Sequence, residues 1–256
     1  MRTLATVYAV LFYGFIFLPV AVLVLFSFQG TLFPIPPFNG PSLRWYGAVL
    51  GDARLTAGLV NSVILAVVTS ALATLMGFLA AWGLARFHLP ASALIRGLIT
   101  LPLAVSYLII GMGLLILFNQ IGIPKSLAAA GIGHVVINLP LCFAIIYSQM
   151  GAQQANIERA ARDLGAGEIK VLLLVTAPML WPALFAAFFL AMTFSWDEFV
   201  ITFLLTRFET TLPVEIWNML RAGLNPKTNA VGALVFGVSV LLAIVFEIVA
   251  FRKRPA

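Results

Sequence analysis

Apolar residues fill this chain in six long runs separated by short polar intervals. Crossing ~30 Å of hydrocarbon takes about 20 helical residues. Six runs approach or exceed that length, at roughly 6–28, 59–85, 98–118, 132–150, 176–205 and 230–251. Lipid offers no partner to backbone N–H and C=O groups, so each run is expected to be helical. The pattern predicts an all-α, polytopic membrane protein with six transmembrane helices in one domain over residues 1–256. The first run is longer than the apolar core of a signal peptide and has no small-residue cleavage site after it, so a retained helix is expected.

The polar intervals differ in kind. Between Gln29 and Ala57 lie Pro34, Pro36, Pro37 and Pro41, followed by "SLRWYGAVL". That reads as an irregular segment, then an amphipathic piece whose Trp45 and Tyr46 suit a membrane interface. The interval "NIERAARDLGAGEIK", residues 156–170, is unlike the others: six charged residues sit between two apolar runs. A short amphipathic helix is expected over about 153–165, with Ile157, Ala160, Ala161 and Leu164 on one face. Glu158 with Arg162 and Arg159 with Asp163 stand at i,i+4. Gly165 stops the helix, and Gly167 loosens the chain after it. The alanine-rich face is too small to seek lipid and suits close approach by another protein. Pro178 and Pro182 are expected to bend the start of the fifth run.

Composition narrows the class. The chain is 62% hydrophobic and 9% charged, with mean hydropathy +1.08, whereas soluble domains are about 25% charged. The net charge of +6 belongs with orientation in a membrane, and no nucleic-acid partner is expected. With both termini cytoplasmic, nine basic residues fall inside and six outside. The short interval from Arg86 to Arg96 and the terminal "FRKRP" carry most of that bias. The charged interval then faces the cytoplasm.

Chemistry by this chain alone is not expected. Cys142 is the single cysteine, and His88 and His134 lie far apart with no HExxH, so no metal set forms. There is no G-x-x-x-x-G-K-[ST] to cradle ATP phosphates and no nucleophile–base set. Polar interest centres instead on the fifth run. A carboxylate at the bilayer centre costs about 2.5–3.5 kcal/mol, so Asp197 and Glu198 must face protein or water. Helical spacing puts Ser195, Glu198 and Thr202 on one polar stripe and Asp197 on the next, with Trp196 beside them. Two readings stay open: a translocation pathway or gate that draws a cationic solute, or pairing with basic groups of a companion subunit or binding protein. An ion-coupled transporter using Asp197 and Glu198 as a relay is the alternative class, although the six runs show no inverted halves.

"RAARDLG", followed after nine residues by "VTAP", resembles the EAA loop of ABC importer permeases, whose pattern is E-A-A, three residues, Gly, nine residues, I-x-L-P. Ala160, Ala161, Gly165 and Pro178 match; Arg159 takes the place of the motif's Glu, with Glu158 one residue earlier, and Val175 and Ala177 replace Ile and Leu. "NSVILA" at Asn61 opens the second run as it commonly does in these permeases. "SWDEFVITF" followed by "TLPVEIWNMLRAGLNPKTNA" is similar to the polyamine (spermidine/putrescine) subfamily, with Trp196 and Glu198 where that subfamily often has Phe and Asp.

The resemblance implies a type I ABC importer permease fold in a bacterial cytoplasmic (inner) membrane. It implies a coupling helix carrying Glu158, Arg159, Ala160, Ala161, Arg162, Asp163 and Gly165, docked on a cytoplasmic ATPase. It also implies two ATP-binding subunits that hold ATP and Mg, no cofactor on this chain, a second and different permease subunit, and an external solute-binding protein.

Overall fold

A computed structural model describes residues 2–223 and 225–251. Arg252, Lys253 and Arg254, which contribute to the expected orientation, lie outside the described residues. In chain order the elements are α1 (Arg2–Ser27), α2 (Arg44–Leu50), α3 (Ala53–Arg86), α4 (Ser92–Thr100), a 3-10 turn (Leu101–Ala104), α5 (Tyr107–Gln120), α6 (Leu127–Tyr147) and α7 (Ala152–Asp163). There follow α8 (Glu168–Val171), a π turn (Leu172–Thr176), α9 (Ala177–Met179), α10 (Trp181–Asp197), α11 (Val200–Leu205), α12 (Leu212–Ala222) and α13 (Pro226–Phe251). Among the described residues no strand forms.

Among the described residues four helices are long and apolar enough to cross a bilayer unbroken: Thr6–Ser27, Ala53–Arg86, Leu127–Tyr147 and Pro226–Val245. Counting each of two bent helix pairs as one broken span gives six. The run expected as one helix over 98–118 turns by 108° between Ser92–Ala104 and Tyr107–Gln120. Pro102 starts the 3-10 turn there, and Val105 and Ser106 are extended. The run expected over 176–205 bends by 73° at Leu180, between Pro178 and Pro182. It breaks again at Glu198, whose ψ of 119° leaves the helical region.

Contacts group the chain into two compact units: residues up to Leu59 with Leu212–Ile244, and Val60–Thr211 with residues from Val245 onward. In the first, Trp45, Val49, Leu55, Leu212, Ala230 and Val231 form the core. Trp45 and Tyr46 are tied into the protein by hydrogen bonds. The indole of Trp45 is buried and donates to the Gln29 carbonyl at 2.6 Å, while the Tyr46 hydroxyl pairs with Ser27 Oγ at 2.7 Å. The buried Gln29 side chain donates to the carbonyls of Ile35 and Pro37 and accepts from the Asn39 N–H, so the proline-rich segment is pinned. Asp52 caps the start of α3 through the N–H of Arg54, and its hydrogen bond from Lys227 holds its carboxyl below the usual range.

In the second unit α6 is the axis. One cluster joins Phe78, Phe143, Ile146, Leu180 and Ala187; another joins Leu65, Phe118, Ile137, Ile201 and Leu205. Helices in lipid lack a hydrophobic drive toward one another and gain from close packing at small residues. Gly77 shows this: a Cβ there would stand 2.8 Å from the Phe143 nitrogen, whereas one at Gly83 would meet open space. Gly77→Ala is therefore expected to lower stability in detergent by about 1–3 kcal/mol, while Gly83→Ala does not. Parallel thermal melts of the two variants check this, and equal melting temperatures would refute the close approach.

Candidate functional site

Two polar constructions stand out in the second unit. The first is the charged interval. Helix α7 ends where the sequence demands: Gly165 has φ +88°, open to glycine without strain. The Gly165 N–H donates to the Arg162 carbonyl and the Ala166 N–H to the Ala161 carbonyl, closing the helix with paired hydrogen bonds.

The charges do not pair as helical spacing suggests. Glu158 is fully buried and turns inward, where the Arg86 guanidinium meets both of its oxygens, at 2.5 Å from Nε and 3.2 Å from Nη2. Thr176 Oγ1, in the π turn, donates to the same carboxylate at 3.0 Å. Arg162 instead forms a two-pronged pair with Glu168, at 2.7 and 3.0 Å, and Arg159 donates to Asn156. The i,i+4 pairs are thus replaced by a buried fork joining the end of α3, the middle of α7 and the start of the fifth span.

The consequence is directional. With Glu158 inward, Ile157, Ala160 and Leu164 face away from the protein, Ile157 41% and Leu164 90% exposed, and Ala161 is half-buried. Arg159, at the motif's Glu position, and Asp163 are exposed too.

The second construction is the break in the fifth span. Ser195, Trp196, Glu198 and Thr202 are buried, and Asp197 alone of residues 195–198 is exposed. The two adjacent acids therefore diverge. Glu198 turns back over the start of α11, accepting from the N–H of Ile201 at 2.9 Å and of Thr202 at 3.3 Å; it satisfies donors that a helix start leaves open. The stripe of Ser195, Glu198 and Thr202 converges, on His134 rather than on an open path. His134 Nδ1 lies 2.6 Å from Ser195 Oγ, and Nε2 lies 2.9 Å from Thr202 Oγ1.

His134 and Arg86 are the residues that sequence reasoning missed. Arg86 gave no local signal. His134 did give one: with Asn138 it puts two polar side chains at i,i+4 in an apolar run, and intramembrane polar groups mark sites by default.

With this geometry in view, comparison with known proteins is decisive. Residues 73–255 match the family described as "Binding-protein-dependent transport system inner membrane component". The chain belongs to that family. This makes it a permease subunit of a binding-protein-dependent ABC importer and a multi-pass transport protein of a bacterial inner membrane.

The permease is 34% identical to the putrescine transport system permease protein PotI of Escherichia coli K12 over 238 residues, 89% of this chain and 84% of that one. It is 27% identical to the spermidine/putrescine permease protein PotC of the same organism over 243 residues, 94% of this chain and 91% of that one. Among solved structures, a bacterial alginate ABC transporter in complex with alginate-bound periplasmic protein superposes with TM-score 0.74 at 15% identity, covering 100% of this chain and 96% of that one. The fold is therefore that of an ABC importer permease, and the ion-driven alternative falls away.

Proposed function

We propose that this permease subunit imports a polyamine or a related small cationic organic solute, with Asp197 as the acid presented to it. The observation that carries the reading is the exposed Asp197 between buried neighbours, supported by relatives named for putrescine and spermidine transport. Ser195, Trp196, Glu198 and Thr202 back the acid from inside the bundle. The half-buried Phe199 adds wall to that part of the pathway.

The same proposal assigns α7 as the coupling helix. Its outward face of Ile157, Ala160 and Leu164 docks on one of two cytoplasmic ATPases, which hold ATP and Mg; this chain needs no cofactor of its own. Arg159, Arg162 and Asp163 surround that face, and Glu158 serves it from behind. A second, different permease subunit completes the path, an external binding protein delivers the solute, and both termini are cytoplasmic. Closure of the ATPases shifts the equilibrium between inward and outward states, because each state presents α7 differently to its partner.

The test is reconstitution of this chain with its binding protein, partner permease and ATPases in proteoliposomes. Binding-protein-stimulated ATP hydrolysis and uptake of labelled putrescine, competed by spermidine and not by a neutral sugar, are expected. Stimulation by a neutral or anionic solute instead would overturn the cationic assignment.

Gly165 supplies a further check. Proline cannot adopt φ +88°, so Gly165→Pro is expected to abolish putrescine uptake while the protein still inserts and purifies. Wild-type uptake by that variant would contradict the coupling role.

A further inference from the structure

We infer that His134 is a positioning residue for Asp197, the middle link of a one-way hydrogen-bond chain that crosses the break in the fifth span. The assignment comes from counting hydrogens. Thr69 Oγ1, on α3, donates to the Leu65 carbonyl at 2.7 Å, which engages its only hydrogen. Ser195 Oγ lies 3.1 Å from Thr69 Oγ1, so Ser195 is the donor in that pair. With its hydrogen engaged there, Ser195 can only accept from His134 Nδ1. The ring proton therefore sits on Nδ1, and Nε2 presents a lone pair to the Thr202 hydroxyl.

The chain reads Thr202, His134, Ser195, Thr69, Leu65 carbonyl. It has one polarity, because a carbonyl cannot donate. Glu198 Oε2 lies 3.6 Å from Nε2, beyond hydrogen-bond length, and is already engaged by the N–H groups of Ile201 and Thr202.

The placement gives this chain its use. Ser195 belongs to α10 and Thr202 to α11, so one imidazole grips both sides of the interruption that follows Asp197. His134 is itself fully buried on α6, and Gly133 beside it lets Ile201 approach so closely that a Cβ would stand 2.4 Å from its Cγ2. Among the described residues Asp197 has no grip of this kind; its direction follows from its two flanks being held through Ser195 and Thr202. His134 thus acts through Asp197 and does not touch the solute. This inference rests on Asp197 being the acid that meets the solute.

The experiment uses the complete reconstituted importer, reading putrescine taken up per ATP hydrolysed. A role confined to folding lowers uptake and hydrolysis together and leaves that ratio unmoved. His134→Leu is expected to lower the ratio ~10-fold, and His134→Gln, whose amide can donate to Ser195 and accept from Thr202, to bring it back within ~3-fold. In an Asp197→Asn background, His134→Leu should change the ratio less than ~2-fold further, as expected for residues acting as one unit. Equal losses in both backgrounds, or a Gln variant as impaired as Leu, would overturn the positioning role. If Asp197→Asn lowers the ratio and His134→Leu does not, the positioning role alone falls; if Asp197→Asn leaves the ratio intact, the solute-facing reading falls and takes this role with it. Should His134→Leu fail to assemble, nitrogen-15 NMR of the imidazole in a His88→Gln importer decides. A proton on Nδ1 with a bare Nε2 is expected, and the opposite tautomer would refute the chain.

Discussion

Arg86→Ala is expected to disable the importer more thoroughly than any change on the exposed face of α7. The Arg86 side chain is 8% exposed and that of Glu158 fully buried, so the substitution leaves a carboxylate enclosed with Thr176 as its remaining partner among the described residues. Breaking such a pair by removing one member costs about 3–5 kcal/mol, a large part of the roughly 5–15 kcal/mol that hold most folded proteins together. Reduced yield, a lower melting temperature and loss of binding-protein-stimulated hydrolysis should appear together. The double change Arg86→Met with Glu158→Leu removes both charges and should recover most of the thermal stability, because well-packed apolar groups often replace a buried pair without loss. Hydrolysis should stay poorly coupled in the double variant, since the directional fork between α3 and α7 is gone. A single Arg86→Ala variant that melts and hydrolyses like the parent would remove the fork from the mechanism.

Asp197→Asn is the second large effect, and of a different kind. The substitution keeps size and shape and removes one charge from an exposed position, so the protein should fold and purify normally. A hydrogen bond to a charged group contributes about 1.5–3 kcal/mol, which corresponds to a ~10–100-fold loss in putrescine uptake. Binding-protein-stimulated hydrolysis should persist. Glu198→Ala gives the contrast. It removes the acceptor for the N–H groups of Ile201 and Thr202 and should cost about 0.5–2 kcal/mol of stability, as loss of a helix cap does. Uptake and hydrolysis should then fall in parallel. Measuring both activities and the melting temperature for the two variants separates the roles; identical profiles would show that the adjacent acids do not diverge in function.

What the chain revealed in advance was whatever its local chemistry determines. Run length marked the four unbroken apolar helices, and Pro178 with Pro182 marked the bend at Leu180. Gly165 marked the end of α7, because no other residue enters φ +88° without strain. The Ala–Ala–Gly–Pro spacing pointed to the right family. Glu158 was legible as a residue but not as a contact. Helical spacing offers Arg162 one turn away, whereas the fork comes from Arg86, 72 positions earlier, and such a pairing exists only once α3 and α7 are packed. The break at Glu198 was hidden for another reason: "SWDEFVIT" contains neither Pro nor Gly. The helix stops because an acidic side chain folds back onto the amides that follow it. His134 stands in no metal or catalytic spacing in the sequence, and its partners Ser195 and Thr202 come from the fifth span, 61 and 68 positions later.

One side of α7 fastens to its own protein through Glu158, and the opposite side, with Ile157, Ala160 and Leu164, faces away; the two share no residue. Selection can therefore act on them separately. On the docking proposed above, drift at positions 157, 160 and 164 in a lineage carrying several importers of this build would redirect which ATPase a permease accepts while its scaffold stays fixed. Fidelity of subunit pairing then becomes an inheritable trait independent of what the pore carries.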